Sequence, residues 1–244
     1  MSYIERNLQL VQQRILAAKT QHAGLDCAIK LVAVSKTQPA TIVREAYAAG
    51  QRVFGENYVQ EAVEKIQALA DLKIEWHFIG PIQSNKAKLI AQNFAWVHGV
   101  DRLKIAAALS QHRPSHLAPL QICVQVNVSA EASKSGVAPA DALELARAII
   151  ALPNLQLRGL MTIIENIDDA QVQAAQFTKL ASTLAQLKAA LLPIPAVTTP
   201  LDTLSMGMSQ DFEVAIASGS NLIRVGSAIF GARQSAMQHT ALSM

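Results

Sequence analysis

The feature that most constrains this chain is its rhythm. Eight short runs of β-type residues recur along it: "LVAVS" (31–35), "RVFG" (52–55), "IEWHFIG" (74–80), "AWVHGV" (95–100), "LQICVQVNV" (120–128), "LQLRGLMTI" (155–163), "DTLSMG" (202–207) and "NLIRVG" (221–226). The segments between them read as helices. "PATIVREAYAAG" closes on Gly50, "PADALELARAII" opens with Pro139, and "DAQVQAAQFTKLASTLAQLKAALL" is a long amphipathic run. Strands that alternate regularly with helices imply right-handed crossovers and a parallel sheet. Eight such units in 244 residues match a (β/α)8 TIM barrel, for which about 250 residues is typical. An open doubly wound sheet would more often carry a glycine-rich turn after its first strand, and no "GxGxxG" follows this one. The expectation is an α/β protein: one barrel domain spanning 1–244, with an extra N-terminal helix in "MSYIERNLQLVQQRI". The cluster "PIPAVTTP" (193–200) sits inside the repeating pattern and reads as a surface loop.

Composition narrows the function classes. Apolar residues make up 51% against 16% charged, which argues against disorder, and 5% aromatic leaves a core of Ala, Val, Ile and Leu. The net charge of +3 comes with no basic run and no aromatic interleaving, so a nucleic-acid partner is not expected. Cys27 and Cys123 are far apart and fit neither a metal nor a redox spacing, and no metal site is expected. The N-terminal helix carries Glu5, Arg6 and Arg14 and is no secretory leader, and no segment approaches the roughly 18 apolar residues of a membrane span. A soluble cytoplasmic protein is expected.

In such a barrel the active face lies at the carboxyl ends of the strands. Strand one ends at Lys36, strand two runs into Glu56 and Asn57, and strand three holds His77. Strand seven ends in "SMGMSQD" and strand eight in "RVGSAIFG". The loops after strands seven and eight, with a short extra helix, form the phosphate site of many barrels. Ser205 and Gly207 fall in the first of these loops, Gly226 and Ser227 in the second. Gly226 would let backbone N–H groups approach an anion, and Ser227 would add a hydroxyl.

Strands one and eight are neighbours in a closed barrel, so the Lys36 amine faces the mouth near that phosphate site. It either pairs with phosphate or, made neutral by apolar neighbours such as Val32 and Val34, forms a Schiff base with an aldehyde. Pyridoxal 5'-phosphate satisfies both halves. Arg224 precedes Gly226 by two, the spacing of one strand face, and would meet the pyridine nitrogen. Arginine has no acceptor, so it would leave that nitrogen unprotonated and the cofactor a weak electron sink.

Through "LVAVSKTQP", "FGENYVQE", "WHFIGPIQSNK", "VNVSAEASKSG", "LRGLMTI" and "LSMGMSQDFEVAIASGSNLIRVGSAIFG", nearly the whole chain resembles the pyridoxal phosphate homeostasis proteins, the YggS/PROSC family, similar in fold to the N-terminal barrel of alanine racemase. The resemblance implies an internal aldimine on Lys36, phosphate on Ser205, Gly226 and Ser227, Arg224 at the ring nitrogen, and Asn57 and His77 lining the pocket. Met206 is counted with the cofactor contacts. The resemblance further implies a monomer that handles pyridoxal phosphate, with other B6 vitamers and transient recipient apo-enzymes as partners. "GLMTI" continues as "IENIDD" where the family has a proline-containing turn.

Plainer readings stand beside these. His77, between Trp76 and Phe78, reads equally well as a hydrogen-bonded core residue, and Met206 and Met208 as core filling. "SKSG" (133–136) reads as a polar turn, and Glu56 and Asp211 as helix-start carboxylates. The competing functions are a pyridoxal-phosphate-dependent amino-acid racemase or related enzyme and a Schiff-base aldolase on the same barrel, which would want acid–base partners around a lysine on a later strand. Two-base racemisation needs a second acid–base group, which the family comparison places on a tyrosine of an additional domain. The chain ends 18 residues after Gly226 and its tyrosines are Tyr3, Tyr47 and Tyr58, so a binding role without catalytic residues is the expectation.

Overall fold

The computed structural model describes residues 1–21, 28–129, 131, 134–165, 167–193, 198 and 200–231; Cys27, part of "SKSG" and part of "PIPAVTTP" lie outside them. After helix α1 (Tyr3–Gln21), strands and helices alternate: β1 (Lys30–Val34), α2 (Ala40–Ala48), β2 (Val53–Glu56), α3 (Val59–Ala68), β3 (Glu75–Phe78), α4 (Ala87–Asn93), β4 (Trp96–Val100) and α5 (Leu103–His112). The second half continues as β5 (Leu120–Gln125), α6 (Ala142–Ile150), β6 (Leu155–Met161), α7 (Ala170–Leu191), β7 (Thr203–Ser205), α8 (Phe212–Ala217), β8 (Leu222–Val225) and α9 (Ser227–Phe230). The eight strands form a closed barrel in sequence order. All neighbours are parallel, and β1 closes on β8 with Ala33 opposite Val225. The (β/α)8 barrel read from the rhythm of the sequence is the fold.

Alternation along each strand sends successive side chains to opposite faces. On β3, Trp76 and Phe78 join the apolar layer beneath the helices, with Phe54, Val97, Ile122 and Ile223 from other strands. The helices supply the other half of that layer, α6 through Ala142, Leu145, Ala146 and Ile149 at helical spacing. Glu75 and His77, on the alternate face of β3, point to the barrel axis.

The strands are shorter than their apolar runs. β7 stops at Ser205 because Gly207 takes φ +96, where a Cβ would lie 2.6 Å from the Ala215 methyl and 2.9 Å from Phe212 Cα. That turn redirects the chain toward the cavity described below. β5 gives way after Gln125 to an isolated bridge between Val126 and Val137. The segment from Pro139 begins as a 3-10 turn before α6.

The extra helix α1 has a definite place. Ile4, Leu8 and Val11 form a buried stripe, and α1 packs on α8, α9 and α2. Arg14 Nε donates to Glu213 at 2.6 Å, and Asn7 Nδ2 donates to the Ile229 carbonyl at 2.7 Å. A helix of 19 residues thus backs two helices of only six and four, holding α9 beside the mouth of the barrel.

Candidate functional site

A cavity of about 330 Å³ opens at the carboxyl ends of the strands, within the range of about 300–1,000 Å³ usual for small-molecule sites. The end of β1 supplies Val34 and then Lys36, Thr37 and Gln38; Asn57 follows β2 and Ile79 follows β3. Ile163, Ile164 and Glu165 come from the loop after β6, Met208 to Asp211 from the loop after β7, and Gly226 with Ser227 from the start of α9. Arg224 forms part of the wall. Five of the residues singled out from the sequence, Lys36, Asn57, Arg224, Gly226 and Ser227, therefore meet in one cavity.

The turn carrying Lys36 is held from below. Lys65 of α3 is buried, and its Nζ donates to the Ser35 carbonyl at 2.8 Å, to Glu56 Oε1 at 2.6 Å and to Glu61 Oε1 at 2.9 Å. Ser35 Oγ also donates to Glu56, and Glu61 accepts the Thr37 backbone N–H at 2.7 Å. Thr37 sits at φ +65, a conformation costing a non-glycine residue of order 1 kcal/mol or more unless neighbours enforce it. Here the Glu61 contact enforces it. Burial raises the Glu56 carboxyl above the usual carboxylate range despite Lys65. Glu56 ends a strand and pairs with a lysine, in contrast to the helix-start role read for it. Asp211 does precede α8 and accepts the Met208 N–H.

In the loop after β7 the structure brings a different serine to the cavity. Ser205 ends β7 fully buried, pointing to the axis, and is not among the residues lining the cavity. Two residues past the Gly207 turn, Ser209 lines it, and its Oγ accepts from the Gly226 N–H at 3.3 Å and the Ala228 N–H at 3.4 Å. Sequence reasoning missed Ser209. "SMGMS" contains two serines, and a glycine in the left-handed region between them means that only the second travels out with the loop. Met206 is fully buried in the apolar core, its alternate face carrying it away from the cavity.

His77 is also absent from the lining. It is fully buried on the barrel axis, with Nδ1 2.9 Å from His98 Nε2 and Nε2 2.8 Å from Glu75 Oε1, which matches the core-histidine reading. His98 Nδ1 lies 2.8 Å from Ser205 Oγ, and Arg224 Nη1 donates to that same oxygen at 2.7 Å. Arg224 Nη2 donates to the Thr162 carbonyl at 2.8 Å. Burial lowers the Arg224 guanidinium to about 10, which leaves it cationic at neutral pH. Burial likewise takes His77 down to about 4 and His98 well below its ordinary value, so both rings are neutral.

Asn57 Oδ1 is buried without a hydrogen-bond partner, an unmet acceptor on a residue of the cavity wall. At the rim, Glu165 is raised by a hydrogen bond with Glu131, a pairing that follows from the "IENIDD" loop. Buried Cys123, its thiol pushed up to about 12 by burial, is a packing residue.

Residues 2–234 match the model of the alanine racemase N-terminal domain. A relative from Pseudomonas aeruginosa, named pyridoxal phosphate homeostasis protein, is 55% identical, covering 96% of this chain and 97% of its own. The chain belongs to the family of pyridoxal phosphate homeostasis proteins. A similar solved structure, PipY of Synechococcus elongatus with PLP bound, is 37% identical at a TM-score of 0.76, over 90% of this chain and 99% of that one. Alanine racemase from Corynebacterium glutamicum, at 18% identity and a TM-score of 0.67, shares the fold over 99% of this chain and 64% of its own. The P. aeruginosa relative is named for homeostasis and not for a reaction. Among the described residues no helix is long and apolar enough to cross a membrane.

Proposed function

We propose that this chain binds pyridoxal 5'-phosphate covalently through Lys36 and serves to hold and hand on the cofactor without turning over a substrate. The observation that carries the reading is the convergence in one cavity of a lysine amine, an anion-sized cluster of N–H and hydroxyl groups, a buried guanidinium and the unmet Asn57 acceptor. The residues fit the group. Lys36 Nζ would supply the amine for a Schiff base. The N–H groups of Gly226 and Ala228, at present turned on Ser209 Oγ, would bind phosphate with the Ser209 and Ser227 hydroxyls. Asn57 Oδ1 would accept from a hydroxyl of the ligand. Arg224 presents only donors to the cavity, so it would keep a pyridine-type nitrogen unprotonated. When bound, the cofactor supplies an electrophilic carbon and a conjugated ring whose electron-withdrawing power depends on that nitrogen. Arg224 therefore favours storage over carbanion chemistry. The names of the P. aeruginosa and S. elongatus relatives support the same reading.

The test is spectroscopic. The protein incubated with pyridoxal phosphate should show a visible absorbance that borohydride abolishes, and Lys36→Ala should lack it while far-UV circular dichroism stays native. Full cofactor absorbance in Lys36→Ala would overturn the assignment of the amine. Rapid cofactor-dependent exchange of amino-acid α-protons in deuterated water would overturn the storage role.

A further inference from the structure

The contacts of Arg224 continue far beyond it. From the cavity wall a line of polar groups, buried as far as His77, runs down the barrel axis to a half-exposed carboxylate: Arg224 Nη1 to Ser205 Oγ, 2.7 Å; Ser205 Oγ to His98 Nδ1, 2.8 Å; His98 Nε2 to His77 Nδ1, 2.9 Å; His77 Nε2 to Glu75 Oε1, 2.8 Å. Glu75 begins β3 at the opposite mouth, where Lys30 Nζ meets the same oxygen at 2.9 Å. Barrel axes are usually filled with branched aliphatic side chains, so an unbroken polar line there calls for a role.

Its two ends give the line one direction. A guanidinium has donors and no acceptor, so Ser205 Oγ accepts from Arg224 and keeps its own hydrogen for His98 Nδ1, the arrangement required for two neutral rings that end as a donor to the Glu75 carboxylate. His98 therefore carries its proton on Nε2 and donates to His77 Nδ1. His77 in turn carries its proton on Nε2 and donates to Glu75, which when ionised can only accept. The charge states agree with this order. Glu75 is held down to about 2 by the His77 and Lys30 contacts, and both imidazoles are neutral. Every member has its partner, and reversing any one hydrogen sets donor against donor or acceptor against acceptor, at a cost of about 1–3 kcal/mol.

We propose that Ser205, His98 and His77 are positioning residues that act on the ligand through Arg224. They lock its guanidinium so that the remaining N–H groups face the cavity and select ligands bearing an unprotonated ring-nitrogen acceptor. This deepens the function proposed above and rests on it. Ser205 and His77, which sequence analysis placed among the cofactor contacts, thereby act one and three hydrogen bonds behind the cavity wall.

The first test needs no cofactor. In protein labelled with 15N-histidine at neutral pH, His77 and His98 should both show the Nε2–H tautomer with slowly exchanging protons. A protonated ring or an Nδ1–H tautomer at either position would overturn the line. The second test compares affinity for pyridoxal phosphate with that for its analogue carrying C–H in place of the ring nitrogen. Wild type should prefer the natural compound by roughly tenfold or more, the value of a hydrogen bond to a charged group. Ser205→Ala should lose most of that preference and Ser205→Thr, which keeps a hydroxyl, should retain it. Should Ser205→Ala fail to fold, Ser205→Cys offers a similar shape with a weak acceptor and serves in its place. An undiminished preference in Ser205→Ala or Ser205→Cys overturns the positioning role alone. No preference in wild type removes the ring-nitrogen contact of Arg224, and the selectivity inferred here falls with it.

Discussion

On β3 and β4 the residues that turn outward, Trp76, Phe78 and Val97, join the apolar layer under the helices, whereas those that turn inward, His77 and His98, hydrogen-bond along the axis toward Ser205 and Arg224. The outer layer is non-directional. Its contribution scales with the apolar area removed from water, and any side chain of similar volume keeps most of it. The axis is directional, and each group there depends on one partner at one distance. Apolar packing and axial hydrogen bonding thus fall on opposite faces of the same strands, one residue apart.

The largest effect should come from the outer layer. Phe54 is fully buried with its ring centroid 5.8 Å from that of Trp76, and Phe54→Ala should lower stability by about 3–5 kcal/mol in chemical denaturation. Loss of the Ser205 hydroxyl should cost less, about 1–3 kcal/mol for the unpaired groups left behind. A larger loss from Ser205→Ala than from Phe54→Ala would reverse the comparison.

Next comes acid. His77 has a folded-state pKa of about 4 against 6.5 in an exposed ring, so the unfolded chain binds the extra proton between those values. Stability is then fully present above about pH 6.5 and falls as pH drops toward 4, by about 3 kcal/mol from this group at full effect. His98 shifts in the same direction and adds to the loss. Glu75, depressed from 4.5 to about 2, extends it below pH 4.5. Urea midpoints measured from pH 7 to 4 should decline, and His77→Gln should flatten that slope. A flat profile in the unmutated protein would mean that the axis is not dry.

The two faces also differ in how legible they were. Leu31, Ala33, Ile122 and Ile223 announce the outer layer because apolar runs of five to seven residues signal a buried strand without reference to any partner. Lys36, Asn57, Gly226 and Ser227 were legible because a strand end in a barrel has a known fate. His77, Ser205 and Met206 were not, since their roles depend on which way a strand end faces and on partners far along the chain. His98 lies 21 residues from His77 and 107 from Ser205. A local pattern cannot pair residues across that distance, and the Gly207 turn that exchanges Ser205 for Ser209 is visible only as a φ value.

The smallest expected change in stability sharpens the comparison most, because it separates the two faces at one residue. Gly226 sits where β8 gives way to α9, at φ −115 and ψ −76, outside the left-handed region that favours glycine. A Cβ would make ordinary contact with Val34 at 3.4 Å and no closer contact elsewhere. With no steric clash, Gly226→Ala should therefore fold, with a stability within about 1 kcal/mol of wild type. Val34 lines the cavity, however, and the Gly226 N–H is one of the two donors gathered at Ser209. The added methyl would stand beside the proposed phosphate position, so affinity for pyridoxal phosphate should fall several-fold while affinity for phosphate-free pyridoxal stays nearly constant. Titrating both compounds into wild type and variant gives the ratio directly. An unchanged ratio would separate the Gly226 N–H from phosphate, leaving Ser209 and Ser227 as the groups to examine; a parallel loss of stability would show that Gly226 belongs to the packed layer.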